Sequence, residues 1–205
     1  MNWLKEQNRK TREFMRGDFG DMLWMCAVAF GALILAGFVL GMLNEGFVNS
    51  FVQRFTAQVD DMGIIQEDGS ISALALLANN LRAAFFTVAY GFIPFIYIPV
   101  ISLGTNSILL GAFAAYYVRN GLSMLLYVAA LLPHGIFELP ALVIAIALGM
   151  YLCKSINHYV RHNPKGVMLP LMQNILRVML LRVVPLFAIA SVVEAYVTPL
   201  IAGLF

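Results

Sequence analysis

Charged side chains and cysteines are both scarce in this sequence. Only 12% of its 205 residues are charged, whereas 61% are hydrophobic. Several apolar runs are longer than a soluble core needs and long enough to cross a bilayer, so the composition predicts a polytopic, all-α membrane protein. The length leaves room for about five spans of roughly 20 residues with short connections. It leaves none for an additional soluble domain.

The motifs of the common enzyme classes are also missing. The chain has no Gly-x-Ser-x-Gly, His-Glu-x-x-His, Walker A or dinucleotide-binding fingerprint. Its two cysteines, Cys26 and Cys153, lack the spacing of a disulfide framework or of a metal site. We therefore favour a non-enzymatic role, and we expect neither a nucleotide-driven activity nor a nucleic-acid partner.

Basic residues predict the orientation of the chain. Five of them lie in the N-terminal segment, residues 1–21, and five more lie in residues 154–182. Both segments are expected to be cytoplasmic, the first as an amphipathic helix on the anionic inner leaflet or as a solvated tail. No signal-peptide core precedes the first span, which we expect to be retained.

A single membrane domain, residues 22–205, follows from this orientation. It has an external loop at 44–72, a cytoplasmic linker at 154–182 and an external C-terminus. The predicted spans are residues 22–43, 83–103, 106–118, about 134–153, and 183–205. As one helix, residues 122–153 would be about 48 Å long, so we expect a break at Pro133 and Gly135 and a re-entrant or external helix before it.

Two carboxylates, Glu138 and Glu194, lie within predicted spans. A charge in that position costs about 2.5–3.5 kcal/mol, so a partner, a proton, an ion or a water-filled cavity must offset it. Counting 1.5 Å per residue from the basic flanks places both carboxylates in the outer half of the membrane. Other polar residues have similar depth, which predicts one polar site made of Asn79, Asn80, Arg82, His134, Glu138, Glu194 and Thr198.

Three chemistries fit this polar site. His134, Glu138 and Glu194 are suitable ligands for a divalent metal such as zinc. Alternatively, the two carboxylates share a proton and serve proton-coupled transport. In the third interpretation the polar groups pair with one another and fix the packing of the helices.

An aromatic stripe is predicted in the external loop. Phe47, Phe51 and Phe55 recur at four-residue spacing, which puts them on one face of a helix. The stripe packs on lipid head groups or on its own domain, or it forms an interface with further copies of the chain or with a partner protein.

From Asn79 onward the sequence resembles the stage II sporulation protein M family. The resemblance rests on Asn-Asn-Leu at 79–81, the small-residue run at 103–111, His-Gly-Ile-Phe-Glu-Leu-Pro at 134–140 and Glu-Ala-Tyr-Val-Thr-Pro at 194–199. It implies a five-span protein of the cell membrane, with the matching polar residues Asn79, Asn80, His134, Glu138 and Glu194.

The resemblance also implies a role. The family's namesake is a membrane anchor that works with cell-wall hydrolases during engulfment of the forespore. We therefore expect a bilayer-embedded anchor or scaffold for hydrolases or other membrane proteins, which assembles as a homo-oligomer. A transporter or channel for an ion or small polar solute and an intramembrane metalloenzyme are the alternatives.

Overall fold

The computed structural model describes residues 2–61, 71–162 and 166–204, and these are predominantly helical. The α-helices are α1 (Asn2–Arg16), α2 (Asp18–Leu43), α3 (Glu45–Asp61), α4 (Ala73–Ala89), α5 (Pro99–Arg119), α6 (Met124–His162), α7 (Met168–Val178), α8 (Val184–Val192) and α9 (Thr198–Ala202). A 3-10 turn, Tyr90–Phe92, follows α4. Two π-helical turns, Met179–Val183 and Val193–Val197, join α7, α8 and α9 into one rod.

Five segments are long and apolar enough to cross a membrane. They are α2, α4 with its 3-10 turn, α5, α6, and the last rod over Met168–Ile201. The predicted all-α bundle of about five spans with an amphipathic N-terminal helix is therefore confirmed. The orientation of the termini and the domain limits stay predictions, and residues 62–70 of the predicted external loop lie outside the described part of the chain.

The predicted span at 83–103 is wrong. Residues 93–98 turn between α4 and α5, with Phe95 and Tyr97 at positive φ angles of 68° and 50°. Pro94 lacks the N–H that a continuing helix would need, and Pro99 is well suited to the first position of the next one. The third span is consequently longer than the predicted 106–118 and runs over all 21 residues of α5.

The break predicted at Pro133 and Gly135 is also wrong. The 39-residue helix α6 runs through Pro133 and Pro140 and is about 58 Å long, so it extends beyond a bilayer core of about 30 Å. Its segment from Ala141 to Met150 is almost completely buried among the other helices. The helix thus continues in spite of the cost of about 3 kcal/mol that a proline imposes on a helix interior.

Glycines bring α2 and α5 into close contact. A Cβ atom added at Gly37 would lie 2.5 Å from the carbonyl oxygen of Ile108, and one added at Gly111 would collide with the backbone of Ile34. Small residues of this kind let membrane helices approach closely. The contact fixes α5, whose polar face lines the site described below.

Arg119, at the end of α5, contacts the corner between α2 and α3. Its guanidinium donates hydrogen bonds to the carbonyl oxygen of Met42 at 2.8 Å and to the carboxylate of Glu45 at 2.9 Å. These contacts hold α3 against α5.

The predicted aromatic stripe lies on α3 and packs on its own chain. Phe47 and Phe51 lie against the small cluster formed by Val48 with Ala112 and Ala115 of α5. The ring of Phe55 lies 5.3 Å from that of Phe113. Packing on its own domain was one of the predicted alternatives, and a further role of the stripe in a homo-oligomer stays a prediction.

At the other end of the bundle, α1 packs against the start of the last rod. Arg177 donates to the side-chain oxygen of Gln7 at 2.7 Å, and Arg182 donates to that of Asn8 at 3.1 Å. Phe14 stacks on Phe19 at the beginning of α2. The N-terminal helix is thus tied to both the first and the last span.

Candidate metal centre

Helix α6 positions His134 and Glu138 on one face, because residues four apart in a helix are neighbours. Nε2 of His134 lies 3.8 Å from Oε2 of Glu138. The two side chains are only 13% and 26% exposed. The continuity of α6 through Gly135 makes this approach possible.

Glu194 comes from the last rod, in the π-helical turn Val193–Val197. Pro199 follows this turn and has no N–H to donate to the carbonyl oxygen of Ala195, which favours a local departure from the α-helical pattern. Turns of this kind are frequent at functional sites because they change the direction of a side chain.

The three side chains meet between α6 and the last rod. One ligand atom each of His134, Glu138 and Glu194 lies within 4.8 Å of the other two. All three residues are partly buried. We call this group of three side chains the metal centre, as the name of a candidate site.

Thr198 supports the imidazole of the metal centre. Its hydroxyl oxygen lies 3.2 Å from Nδ1 of His134, and the threonine is only 9% exposed. When Nδ1 carries the proton, it donates to this hydroxyl and leaves the lone pair of Nε2 on the side of Glu138. A hydrogen bond from the second imidazole nitrogen is the usual support of a metal-binding histidine.

A cavity of about 710 Å³, lined by both apolar and polar residues, reaches the two glutamates of the metal centre. Helices α3, α4, α5, α6 and the last rod form its walls. Besides Glu138 and Glu194, its polar lining consists of Arg54, Asn79, Asn80, Ser102, Thr105 and Asn106. Because Glu138 and Glu194 belong to the lining and His134 does not, the cavity approaches the centre from the carboxylate side.

The predicted polar site divides into three parts in the structure. His134, Glu138, Glu194 and Thr198 form the metal centre and its support. Asn79 and Asn80 line the cavity. Arg82 is exposed on α4 and is not among the lining residues, so the structure does not bring it to this site.

Four polar lining residues, Arg54, Ser102, Thr105 and Asn106, were not predicted. Ser102, Thr105 and Asn106 have the spacing of one helix face, which could have indicated a polar stripe on α5. The misplaced boundary of that helix concealed it. Arg54 belongs to the predicted external loop, and nothing in the sequence indicates that this segment lines a cavity with Glu138 and Glu194.

Comparison with known proteins identifies the family. The family model described as Stage II sporulation protein M matches residues 22–199. The chain belongs to the stage II sporulation protein M family. An uncharacterized protein of Methanocaldococcus jannaschii is 30% identical to this family member over 132 residues, which are 62% of this chain and 71% of that protein. No solved structure matches the chain.

The family match covers the metal centre as well as the five spans. Its range includes the residues 134–140 and 194–199 on which the resemblance rested. The predicted family is therefore confirmed, and this member of the stage II sporulation protein M family is a membrane protein.

Proposed function

We propose that this protein is a membrane anchor in which a divalent cation binds at the metal centre, next to the cavity. The observation that carries the proposal is the convergence of three ligand atoms, from His134, Glu138 and Glu194, within 4.8 Å of one another. The ligands come from two spans, so the cation would also join those spans.

Electrostatics supports a cation. Two carboxylates in a membrane-embedded site must be paired, protonated, hydrated or neutralised by a cation. Within residues 2–61, 71–162 and 166–204, no lysine or arginine forms an ion pair with Glu138 or Glu194. Arg82 does not pair with the glutamates, whereas His134 lies 3.8 Å from Glu138 and 3.2 Å from Thr198, so the pairing of polar groups with one another stays the alternative to a bound ion.

The donor set favours zinc. One imidazole nitrogen and two carboxylates are typical zinc ligands, whereas calcium and magnesium prefer oxygen ligands alone. In a tetrahedral site with bonds of about 2.0–2.2 Å, ligand atoms lie roughly 3.3–3.6 Å apart. The side chains of His134, Glu138 and Glu194 would have to move inward by roughly 1 Å from their present separations of up to 4.8 Å. Three protein ligands leave a fourth position open for water or for a ligand oxygen.

Metal analysis of the purified protein tests the proposal. The wild-type chain should carry about one divalent cation, and Glu138→Gln and Glu194→Gln should each lower zinc affinity at least about tenfold, because each removes a charged ligand. Glu13→Gln, which changes an exposed glutamate of α1, is the matched control and should bind like wild type. Retention of wild-type zinc affinity by both ligand variants would exclude the centre.

The anchor role is supported by the way α3 is held. The Arg119–Glu45 ion pair and the phenylalanine packing fix this helix on the bundle, while Ser50 and Gln53 remain exposed on its other side. Such a rigid polar face suits contact with a partner protein, and we expect the protein to form a homo-oligomer. Native mass spectrometry before and after chelation tests this: a monomer under both conditions contradicts the expected assembly.

Transport of the cation is a second candidate, favoured by the cavity that reaches the two glutamates. An anchor keeps its cation, whereas a transporter releases it on the far side of the membrane. Zinc uptake into proteoliposomes separates the two roles. Uptake that is saturable and abolished by Glu138→Gln supports transport; a stably bound ion without uptake supports the anchor.

A further inference from the structure

The cavity next to the metal centre has a charge that depends on the cation. Its charged lining residues within the described chain are Arg54, Glu138 and Glu194. Without a cation these carry a formal net charge of −1 when both glutamates are ionised. A divalent cation changes that sum to +1, so the loaded cavity attracts an anion and the empty one repels it.

We propose that the cation-loaded cavity binds a small ligand through a phosphate-type oxyanion. This inference rests on the proposed function, because the cation is one of the two positively charged groups that hold the anion. An oxygen of the ligand takes the open fourth position on the metal. The guanidinium of Arg54 supplies the second charge, and guanidinium groups are well suited to phosphate oxygens.

Uncharged polar residues of the cavity lining could bind the rest of the ligand. Thr105 donates to the carbonyl oxygen of Ile101 at 2.9 Å, and the amide of Asn106 donates to that of Ser102 at 2.8 Å, so both donors are used within α5. Asn79 and Asn80, by contrast, make no side-chain hydrogen bond with another described residue. Their amides are available to hydroxyl or amide groups of a polar ligand.

The size of the cavity fits a ligand larger than the bare anion. A volume of about 710 Å³ is within the range of small-molecule sites, which is roughly 300–1,000 Å³. The same phosphate chemistry occurs in soluble molecules and in lipid head groups. The shared feature is the oxyanion, and the experiment distinguishes the two sources.

Cobalt-loaded protein provides the readout, since the visible absorption of Co²⁺ changes when a ligand oxygen joins its coordination shell. Inorganic phosphate should change the spectrum of the wild-type protein in a saturable way. Arg54→Gln should bind cobalt normally and weaken the phosphate response about tenfold or more, because a charge-assisted contact is lost. Arg82→Gln is the matched control, since the structure places Arg82 outside the cavity lining, and it should respond like wild type.

The outcomes separate this inference from the proposed function. Failure of the wild-type chain to bind cobalt contradicts the metal centre itself. Cobalt binding without any response to phosphate or to short-chain phosphatidylglycerol contradicts the oxyanion site, and so do equal responses of wild type and Arg54→Gln. A response to the short-chain lipid alone supports the site and identifies a head group as the source of the phosphate.

Discussion

Replacing Thr198 with valine removes a hydroxyl and keeps the shape of the side chain. In the structure this hydroxyl lies 3.2 Å from Nδ1 of His134, and the residue is only 9% exposed, so water cannot readily take its place. The loss leaves Nδ1 without its partner and frees the imidazole to rotate or to change tautomer. Removal of such a support typically lowers metal affinity about 10–100-fold, equivalent to about 1.4–2.7 kcal/mol.

Zinc affinity measured by competition with a chelator tests this prediction. Thr198→Ser keeps the hydroxyl and should retain most of the affinity. Thr87→Val changes another buried threonine of the spans, one outside the metal centre, and should leave zinc binding unchanged. The reasoning is refuted if Thr198→Val binds zinc as wild type does. It is also refuted if Thr198→Val and Thr87→Val lose both melting temperature and zinc affinity to the same extent.

Three further predictions concern acidity, packing and orientation. Zinc affinity should fall between pH 7.5 and pH 5, because protons compete for all three ligands; equal affinities would contradict the ligand set. Gly111→Ala should lower thermal stability by about 1–3 kcal/mol through its backbone collision, whereas Gly104→Ala on the same helix, where the added methyl meets nothing within 4 Å, should not. In intact cells a membrane-impermeant thiol reagent should label Gln53→Cys but not Val160→Cys; the reverse pattern would overturn the proposed orientation.

The spacing of polar residues within single helices was the most informative part of the sequence. His134 with Glu138, and Glu194 with Thr198, are each four residues apart, so the sequence alone could place each pair on one face. Bringing the two pairs together depends on how α6 packs against the last rod. That packing is a tertiary property, and only the similar depth of these residues and the cost of isolated carboxylates suggested it beforehand.

Two predictions of helix boundaries from local sequence were wrong: the break at Pro133 and the span at 83–103. Pro133 lacks the N–H that a continuous helix uses, yet α6 runs through it without a break. Residues 93–98 are mostly apolar, so the sequence predicted that they continue a span. Pro94 and Pro99 are the residues that indicated a turn there. Arg54 could not be predicted, because its place over the cavity depends on the docking of α3 against α5.

The position of the metal centre between two helices makes a bound cation a removable cross-link. His134 and Glu138 belong to α6, whereas Glu194 belongs to the last rod, whose other end is bonded to α1 through Arg177 and Arg182. A displacement of that rod would separate the ligands and weaken their hold on the ion. By the same coupling, any excess of cation over its dissociation constant stabilises the joined arrangement. In the proposed function, cation binding between α6 and the last rod is therefore linked to the docking of α1 at the other end of that rod.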